Sequence, residues 1–204
     1  MELKKTLKKA LLSIPILLGL TFFIALSPYA LSTKSIQVGP TILIKYVIAS
    51  SIKEQVLVGL PVSLKIPSIN VDAHVEYLGL TSSGAMDVSD DPMNVTWFNL
   101  GPHPGENGSA VIAGHYGWKN HTPAVFDNLH KLNKGDRVFV EDEKGVITTF
   151  IVNEIRNYGK DEIVPNAFES NDGKAHLNLI TCTGVWNNVT KTFSERLIVF
   201  TDEE

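Results

Sequence analysis

The sequence LNLITC at residues 177–182 and the sequence RLIVFT at residues 196–201 are two short apolar runs of the kind that form β-strands. The first run ends on Cys182, the one cysteine of the chain, and the second begins at Arg196. A structural cysteine is an inert small hydrophobe, whereas a cysteine that ends a strand and faces a fixed positive charge has a reason to ionise. The two runs therefore predict a sheet that carries a reactive thiol at its edge.

The spacing of the two runs predicts how the thiol and the guanidinium meet. If they are antiparallel neighbours joined by a loop at residues 183–195, then Ile180 opposes Ile198 and Cys182 opposes Arg196. Opposed residues project from the same face of a sheet, so both groups share one pocket. A single cysteine forms no internal disulfide, which leaves a reactive group, an intermolecular link or a core residue.

A base for this thiol is predicted at His115, which follows the strand-like run SAVIA at residues 109–113 and Gly114. With reference pKa values of about 8.5 and 6.5, a non-interacting pair holds roughly 1% of molecules as thiolate with imidazolium near neutral pH. That fraction permits turnover, because a thiolate is a strong nucleophile and an imidazolium can protonate a leaving amine. His103, His115 and His121 lack the spacing of a metalloprotease, so no metal site is expected.

The segments around His115, Cys182 and Arg196, in this order, resemble the His, Cys and Arg motifs of the sortases, a family of membrane-anchored cysteine transpeptidases. The resemblance extends roughly from Leu64 to the C-terminus, through residues 104–108 and 126–136. It departs from the family pattern at Asn178, where threonine is common, and residues vary among subclasses at the position of Tyr116. The subclass and the preferred sorting peptide therefore stay open, with classes D, E and F nearest in pattern.

The resemblance implies a mainly β fold, a closed antiparallel barrel with one or two short helices. It also implies that Cys182 attacks an LPXTG-like sorting signal of a surface protein, and that an amine of the cell envelope or of another protein resolves the thioester. Arg196 would bind the substrate backbone or the developing oxyanion. Thr181 and Trp186 are candidate substrate-binding residues. The alternatives are that Thr181 is an ordinary strand residue and that Trp186 packs on the barrel. No cofactor is expected, and activation by calcium stays open.

The order of apolar runs and turn residues beyond Leu60 is typical of an antiparallel barrel or sandwich. A hairpin turn is predicted at residues 142–145. One short helix is predicted where Thr122 caps the first turn and Pro123 occupies it, with four apolar residues on one face, Val125, Phe126, Leu129 and Leu132. Strands are predicted at residues 62–66, 73–77, 109–113, 137–141, 146–152, 176–181 and 196–201.

The N-terminal residues predict a membrane anchor. Residues 1–9 are basic and precede an apolar stretch at residues 10–31, whose length approaches the ~20 residues that a spanning helix needs. The positive-inside rule places residues 1–9 in the cytoplasm and the catalytic domain outside the membrane. We expect a single-pass anchor, with a cleaved signal peptide as the alternative. Residues 32–60 are expected to form a juxtamembrane linker or helix, and residues 61–204 the catalytic domain.

The net charge excludes nucleic acid as a partner, and two alternatives to a transpeptidase stay open. The 204 residues carry a net charge of −4, which provides no basic surface for nucleic acid. One alternative function is a thiol hydrolase, in which water resolves the thioester on the same site. The other is a membrane-tethered barrel that binds without catalysis, with Cys182 and His115 as packed structural residues.

Overall fold

The computed structural model describes residues 58–118 and 122–204. The segments predicted at residues 1–9 and 10–31, and the linker up to residue 57, lie outside the described residues. No helix in the described part of the chain is both long and apolar enough to cross a membrane. The strands are β1 (Pro61–Ile66), β2 (Val71–Leu78), β3 (Val95–Phe98), β4 (Gly108–Gly114), β5 (Arg137–Asp142), β6 (Ile147–Gly159), β7 (Ala175–Asn187) and β8 (Thr192–Glu203).

These eight strands form a closed barrel in the order β1-β2-β3-β4-β7-β8-β6-β5. Alternate residues point into the barrel, as the two-residue period of a strand requires. On β1, for example, Leu64 and Ile66 are fully buried, whereas Lys65 between them is exposed. The fully buried side chains of Phe126 and Phe150 help to fill the centre of the core.

The mainly β closed barrel is confirmed, but the expectation that it is antiparallel is wrong for two pairs of strands. Strands β2 and β3 are parallel, and so are β4 and β7. A parallel pair needs a crossover connection of a dozen or more residues, and residues 79–94 provide one between β2 and β3. The apolar pattern of a strand does not encode its direction, so sequence reasoning had no signal for this.

Two further strand predictions differ from the structure. Strand β3, only four residues long, was not predicted. The hairpin of β7 and β8 continues to Asn187 and Thr192, so the predicted loop at residues 183–195 is mostly strand. A register shift lies between Thr183 and Trp186, where Gly184 has a positive φ of 84°. The glycine and the polar residues around it are typical of a loop, although β7 and β8 stay paired on both sides of the register shift.

The predicted helix near Thr122 is wrong as an α-helix. The described residues have a turn there, followed by a one-turn 3-10 helix at Leu129–Lys131; the other 3-10 helices are Pro67–Ile69 and Pro165–Ala167. The backbone N–H of Phe126 donates to the carbonyl of His115 at 3.0 Å, and that of Val125 donates to Pro92 at 2.8 Å. These two hydrogen bonds hold the turn against neighbouring loops. The spacing of the four apolar residues therefore reflects their packing into the core and not the turn of an α-helix.

Candidate active site

The parallel pairing of β4 and β7 brings His115 and Cys182 to one edge of the sheet. The last paired residues of the two strands are Ala113 and Ile180. His115 and Cys182 each follow their paired residue by two positions. Because parallel strands run in the same direction, both residues emerge at the same rim of the barrel.

The antiparallel pairing of β7 and β8 adds Arg196 to the same rim. Cys182 lies directly opposite Arg196, and Ile180 lies opposite Ile198. This register is the one predicted from the spacing of the two runs. Thiol and guanidinium therefore project from the same face of the sheet, and all three predicted residues border one region.

Cys182 is half-buried and forms no disulfide. Burial raises the pKa of the thiol, and the positive charge of Arg196 offsets this only in part. Within residues 58–118 and 122–204, no hydrogen bond joins its sulfur to His115 or to Arg196. The thiol therefore needs to pass its proton to a base, or a positive charge needs to approach it, before it becomes a strong nucleophile.

The imidazole of His115 is oriented by a backbone carbonyl and an aromatic ring. Nε2 lies 2.7 Å from the carbonyl oxygen of Ser89. The ring also packs on Trp118, with 4.5 Å between centroids and 56° between planes. A carbonyl only accepts hydrogen bonds, so Nε2 carries the proton of the neutral ring and Nδ1 is left with the lone pair.

The guanidinium of Arg196 is fixed by the first residues of its own strand. Nη1 donates to the carbonyl of Glu195 at 2.8 Å and to that of Phe193 at 3.2 Å, and Nη2 donates to Thr192 Oγ1 at 3.3 Å. Arginine has five donors, so further N–H groups are available to a substrate. The charge is thus anchored beside the thiol in a fixed direction.

Two cavities meet at the rim and share His115 and Cys182. The first, here called the apolar groove, measures about 730 Å³ and also has Arg196 in its wall. Its walls come from the end of β6, from residues between 160 and 169 in the connection between β6 and β7, and from Met86 and Val88 in the connection between β2 and β3. A volume of this size suits an extended peptide segment of a few residues.

The second cavity, here called the aromatic pocket, measures about 900 Å³. The ring of Phe193 packs edge-on against Tyr116 at 5.4 Å and against Trp186 at 5.1 Å, measured between centroids. These three residues line the pocket together with Trp118. The thiol is therefore reachable from two differently lined spaces.

The comparison with protein families agrees with this geometry. The sortase domain model matches residues 64–204, more than half of the chain. The chain belongs to the sortase family. Sortases are cysteine transpeptidases, and Cys182 is the cysteine that this chain provides. Among proteins of curated function, none matches the sequence.

Solved sortase structures have the same fold. Sortase C-1 from Actinomyces oris is 27% identical, with a TM-score of 0.56 over 70% of this chain and 72% of that chain. Sortase C from Clostridium perfringens SM101 is 25% identical, with a TM-score of 0.51 over 72% and 71%. A lid mutant of sortase A from Corynebacterium diphtheriae is 24% identical, with a TM-score of 0.54 over 70% and 68%, and shares the fold alone. Sortases named A and C both match, so the subclass stays unresolved.

Thr181, a candidate substrate-binding residue, has a structural bond in this sortase. Its side chain is buried, and its hydroxyl donates to the carbonyl of Gly114 at 2.7 Å. The bond links the residue before Cys182 to the residue before His115. A substrate contact from Thr181 stays a prediction, and its hydroxyl proton is already used within the protein.

Trp186, the other candidate, lies on the β7–β8 hairpin and is 44% exposed. Its indole N–H donates to Asn188 Oδ1 at 3.1 Å, which fixes the ring beside Phe193. Trp186 lines the aromatic pocket and is absent from the wall of the apolar groove. Its role in binding also stays a prediction.

Sequence reasoning missed the residues that orient His115 and those that form the groove walls. Ser89 lies 26 positions before the histidine, in a connection that has no motif, and only the three-dimensional packing brings it to the ring. Asn178 was noted only as a departure from the family pattern. Its buried amide donates to the carbonyl of Ala167 at 2.8 Å and so holds the β6–β7 connection, which forms one groove wall.

No group of three or more His, Cys, Asp or Glu side chains in the described residues is arranged to hold a metal ion. The expectation of no cofactor, with calcium activation open, is not tested by this finding and stays a prediction.

Proposed function

We propose that this sortase cleaves an LPXTG-like sorting signal of a surface protein through a thioester on Cys182 and transfers the acyl group to an amine of the cell envelope or of another protein. The observation that carries the proposal is the position of Cys182 in the sheet. Cys182 lies opposite Arg196 in the antiparallel pairing of β7 and β8. Cys182 and His115 each lie two residues beyond the last pair of the parallel strands β4 and β7. The two cavities at this rim provide separate approaches for the peptide and the amine.

Acylation begins when the sorting peptide fills the apolar groove and places its scissile carbonyl beside the half-buried thiol. The thiol gives its proton to His115, and its sulfur forms a bond with the peptide carbonyl carbon. Arg196 donates to the oxyanion or to the peptide backbone, since its guanidinium lies opposite the sulfur in the ladder. The amide C–N bond then breaks, and His115 protonates the leaving amine.

Deacylation uses the same groups in reverse order. The acceptor amine attacks the thioester carbonyl and gives a proton to His115. The C–S bond breaks, a new amide forms, and the sulfur regains a proton. We propose that the amine enters through the aromatic pocket, since the acyl chain occupies the apolar groove.

We further propose that residues 10–31 anchor the protein in the cell membrane, with residues 1–9 in the cytoplasm and residues 61–204 outside. The support is the basic flank and the length of the apolar stretch. An extracytoplasmic domain places the thiol where surface proteins emerge.

A product assay tests the function. The full-length protein is incubated with a fluorescent LPXTG peptide, with and without a glycine-based amine, and the products are separated by mass. We expect an amide product with the amine and little product from the Cys182→Ala variant. Hydrolysed peptide as the dominant product at every amine concentration would make the protein a thiol hydrolase. Equal turnover by Cys182→Ala would exclude the thioester.

A further inference from the structure

The carbonyl of Ser89, which holds the ring of His115, is itself fixed by an unusual number of contacts. Ser89 is only 3% exposed. Its backbone N–H donates to Thr96 Oγ1 at 2.8 Å, and its hydroxyl donates to Glu76 Oε1 at 2.7 Å. The same hydroxyl accepts from the N–H of Asp91 at 2.9 Å. Three hydrogen bonds and burial therefore hold this serine in place, although it lies in a long connection.

The two residues that hold Ser89 come from one place in the barrel. Glu76 on β2 and Thr96 on β3 are direct partners in the parallel ladder. Opposed residues share a face, so the two side chains lie side by side, where the Glu76 carboxylate accepts from the Ser89 hydroxyl and the Thr96 hydroxyl accepts from the Ser89 N–H. The β2–β3 pairing thus brings both acceptors to the same place beside the connection.

Glu76 is held in place as an anion. Its Oε1 accepts from Ser89 Oγ and from Asn94 Nδ2, the latter at 2.8 Å. These two hydrogen bonds lower the pKa of the carboxyl group. Because Asn94 ends the same connection that contains Ser89, the carboxylate ties two points of that connection to the barrel.

We propose that Glu76 and Thr96 are positioning residues for His115, which hold the Ser89 carbonyl against Nε2 and so make Nδ1 the nitrogen that exchanges protons during transpeptidation. A base that is oriented by a third group is the general arrangement in nucleophilic catalysis, and here the third group is a backbone carbonyl. The statement about proton exchange rests on the proposed function, whereas the statement about ring orientation does not.

The ring orientation is tested by NMR of the full-length protein in detergent, with 15N-labelled histidine. The His115→Gln variant assigns the His115 signals. At alkaline pH we expect Nε2 to carry the proton, with a hydrogen-bonded N–H signal that exchanges slowly with water. The signal should disappear, or a second tautomer should appear, in Glu76→Ala and in Thr96→Val. Glu76→Gln keeps the oxygen acceptor and should keep the signal.

The catalytic consequence is tested by kinetics of the same variants. A misplaced catalytic group costs up to about 100-fold in rate. We expect kcat of Glu76→Ala to fall by roughly 10- to 100-fold, with KM changed less than about twofold, and Glu76→Gln to recover most of kcat. The matched control is Asp72→Ala, an exposed carboxylate on the same strand and the same face as Glu76, which should leave both parameters near the parental values.

The outcomes separate this inference from the proposed function. A proton on Nδ1 in the parent, or an unchanged N–H signal in Glu76→Ala, would overturn the inference. So would a lost signal with unchanged kcat. If the parent does not process the peptide at all, the proposed function fails while the NMR result still decides the ring orientation. If Thr96→Val does not fold, the comparison of Glu76→Ala with Glu76→Gln carries the test.

Discussion

The hydroxyl of Thr181 donates a 2.7 Å hydrogen bond to the carbonyl of Gly114 and thereby ties the strand of Cys182 to the strand of His115. The bond lies one residue before each of the two groups, just beyond the last paired residues of the β4–β7 ladder. It extends the connection between the strands where the regular pairing has ended, and so limits the relative movement of thiol and imidazole.

Replacing Thr181 by valine should lower both stability and activity. Valine keeps the shape of threonine but removes the hydroxyl that donates to the half-buried Gly114 carbonyl, which costs about 0.5–1.5 kcal/mol. Urea unfolding measures the loss, and Thr181→Ser, which keeps the hydroxyl, should recover most of it. The control is Thr183→Val, since the Thr183 hydroxyl makes no hydrogen bond within the described residues. Equal stability of Thr181→Val and the parent would show that the bond contributes little.

Replacing Gly114 by alanine should destabilise the protein through a steric clash. A Cβ atom at this position would lie 2.6 Å from Phe126 Cδ2 and 2.8 Å from Val125 Cγ1. Overpacking of a core costs about 1–3 kcal/mol, measurable by urea unfolding. Gly101→Ala is the matched control, because its nearest neighbours would be at an ordinary 3.5 Å. A parental midpoint for Gly114→Ala would mean that this packing is looser than described.

Replacing Arg196 by lysine should fail nearly as badly as replacing it by alanine. Lysine keeps the positive charge that opposes the rise in the Cys182 pKa. A compact ammonium, however, lacks the planar set of donors with which the guanidinium binds three acceptors on β8 and still has N–H groups for the substrate. The measurement is the single-turnover acylation rate, with the thiol pKa determined separately. A lysine variant that acylates at close to the parental rate would leave only an electrostatic role for Arg196.

The ion pair between His176 and two carboxylates should make stability depend on pH. Nδ1 lies 2.7 Å from Asp202 and Nε2 lies 3.0 Å from Asp172, so both nitrogens donate to a carboxylate when the ring is protonated. Burial opposes the charge, but these hydrogen bonds raise the pKa of His176 above its usual 6.5. The bond from His176 is the main cause that lowers the pKa of Asp172 from 3.8 to about 2.

The direction of the pH effect follows from these shifts. The raised pKa of His176 stabilises the folded state fully below about pH 6.5, the pKa of histidine in the unfolded chain. This stabilisation is lost as the pH rises through the pKa of His176 in the folded protein. The depressed pKa of Asp172 contributes stability above 3.8 that is lost as the pH falls through about 2. We therefore expect the urea midpoint of the parent to fall between pH 6 and pH 9 more than that of His176→Asn. Parallel pH profiles would contradict the charged pair.

Short-range patterns in the sequence predict the strands of a barrel or sandwich, and the resemblance of three short motifs to those of the sortases implies the closed barrel and the three groups at its rim. Strand runs, the single cysteine and the spacing from Cys182 to Arg196 specify the β7–β8 register. The parallel pairs and Ser89 were not predictable, because strand direction and loop packing depend on contacts between residues distant in sequence. The helix expected near Thr122 failed for the same reason, since bonds to Pro92 and His115 decide that backbone.

The central claim is that Cys182 forms a thioester with the sorting peptide, and intact-protein mass spectrometry tests it most directly. The full-length protein is mixed with an LPXTG peptide, quenched in acid within the first turnover, and digested to locate the added mass. We predict an acyl adduct on Cys182 that disappears when a glycine-based amine is added, with the matching amide product formed in equal amount. An adduct on another residue, or amide product from Cys182→Ala, would contradict the account.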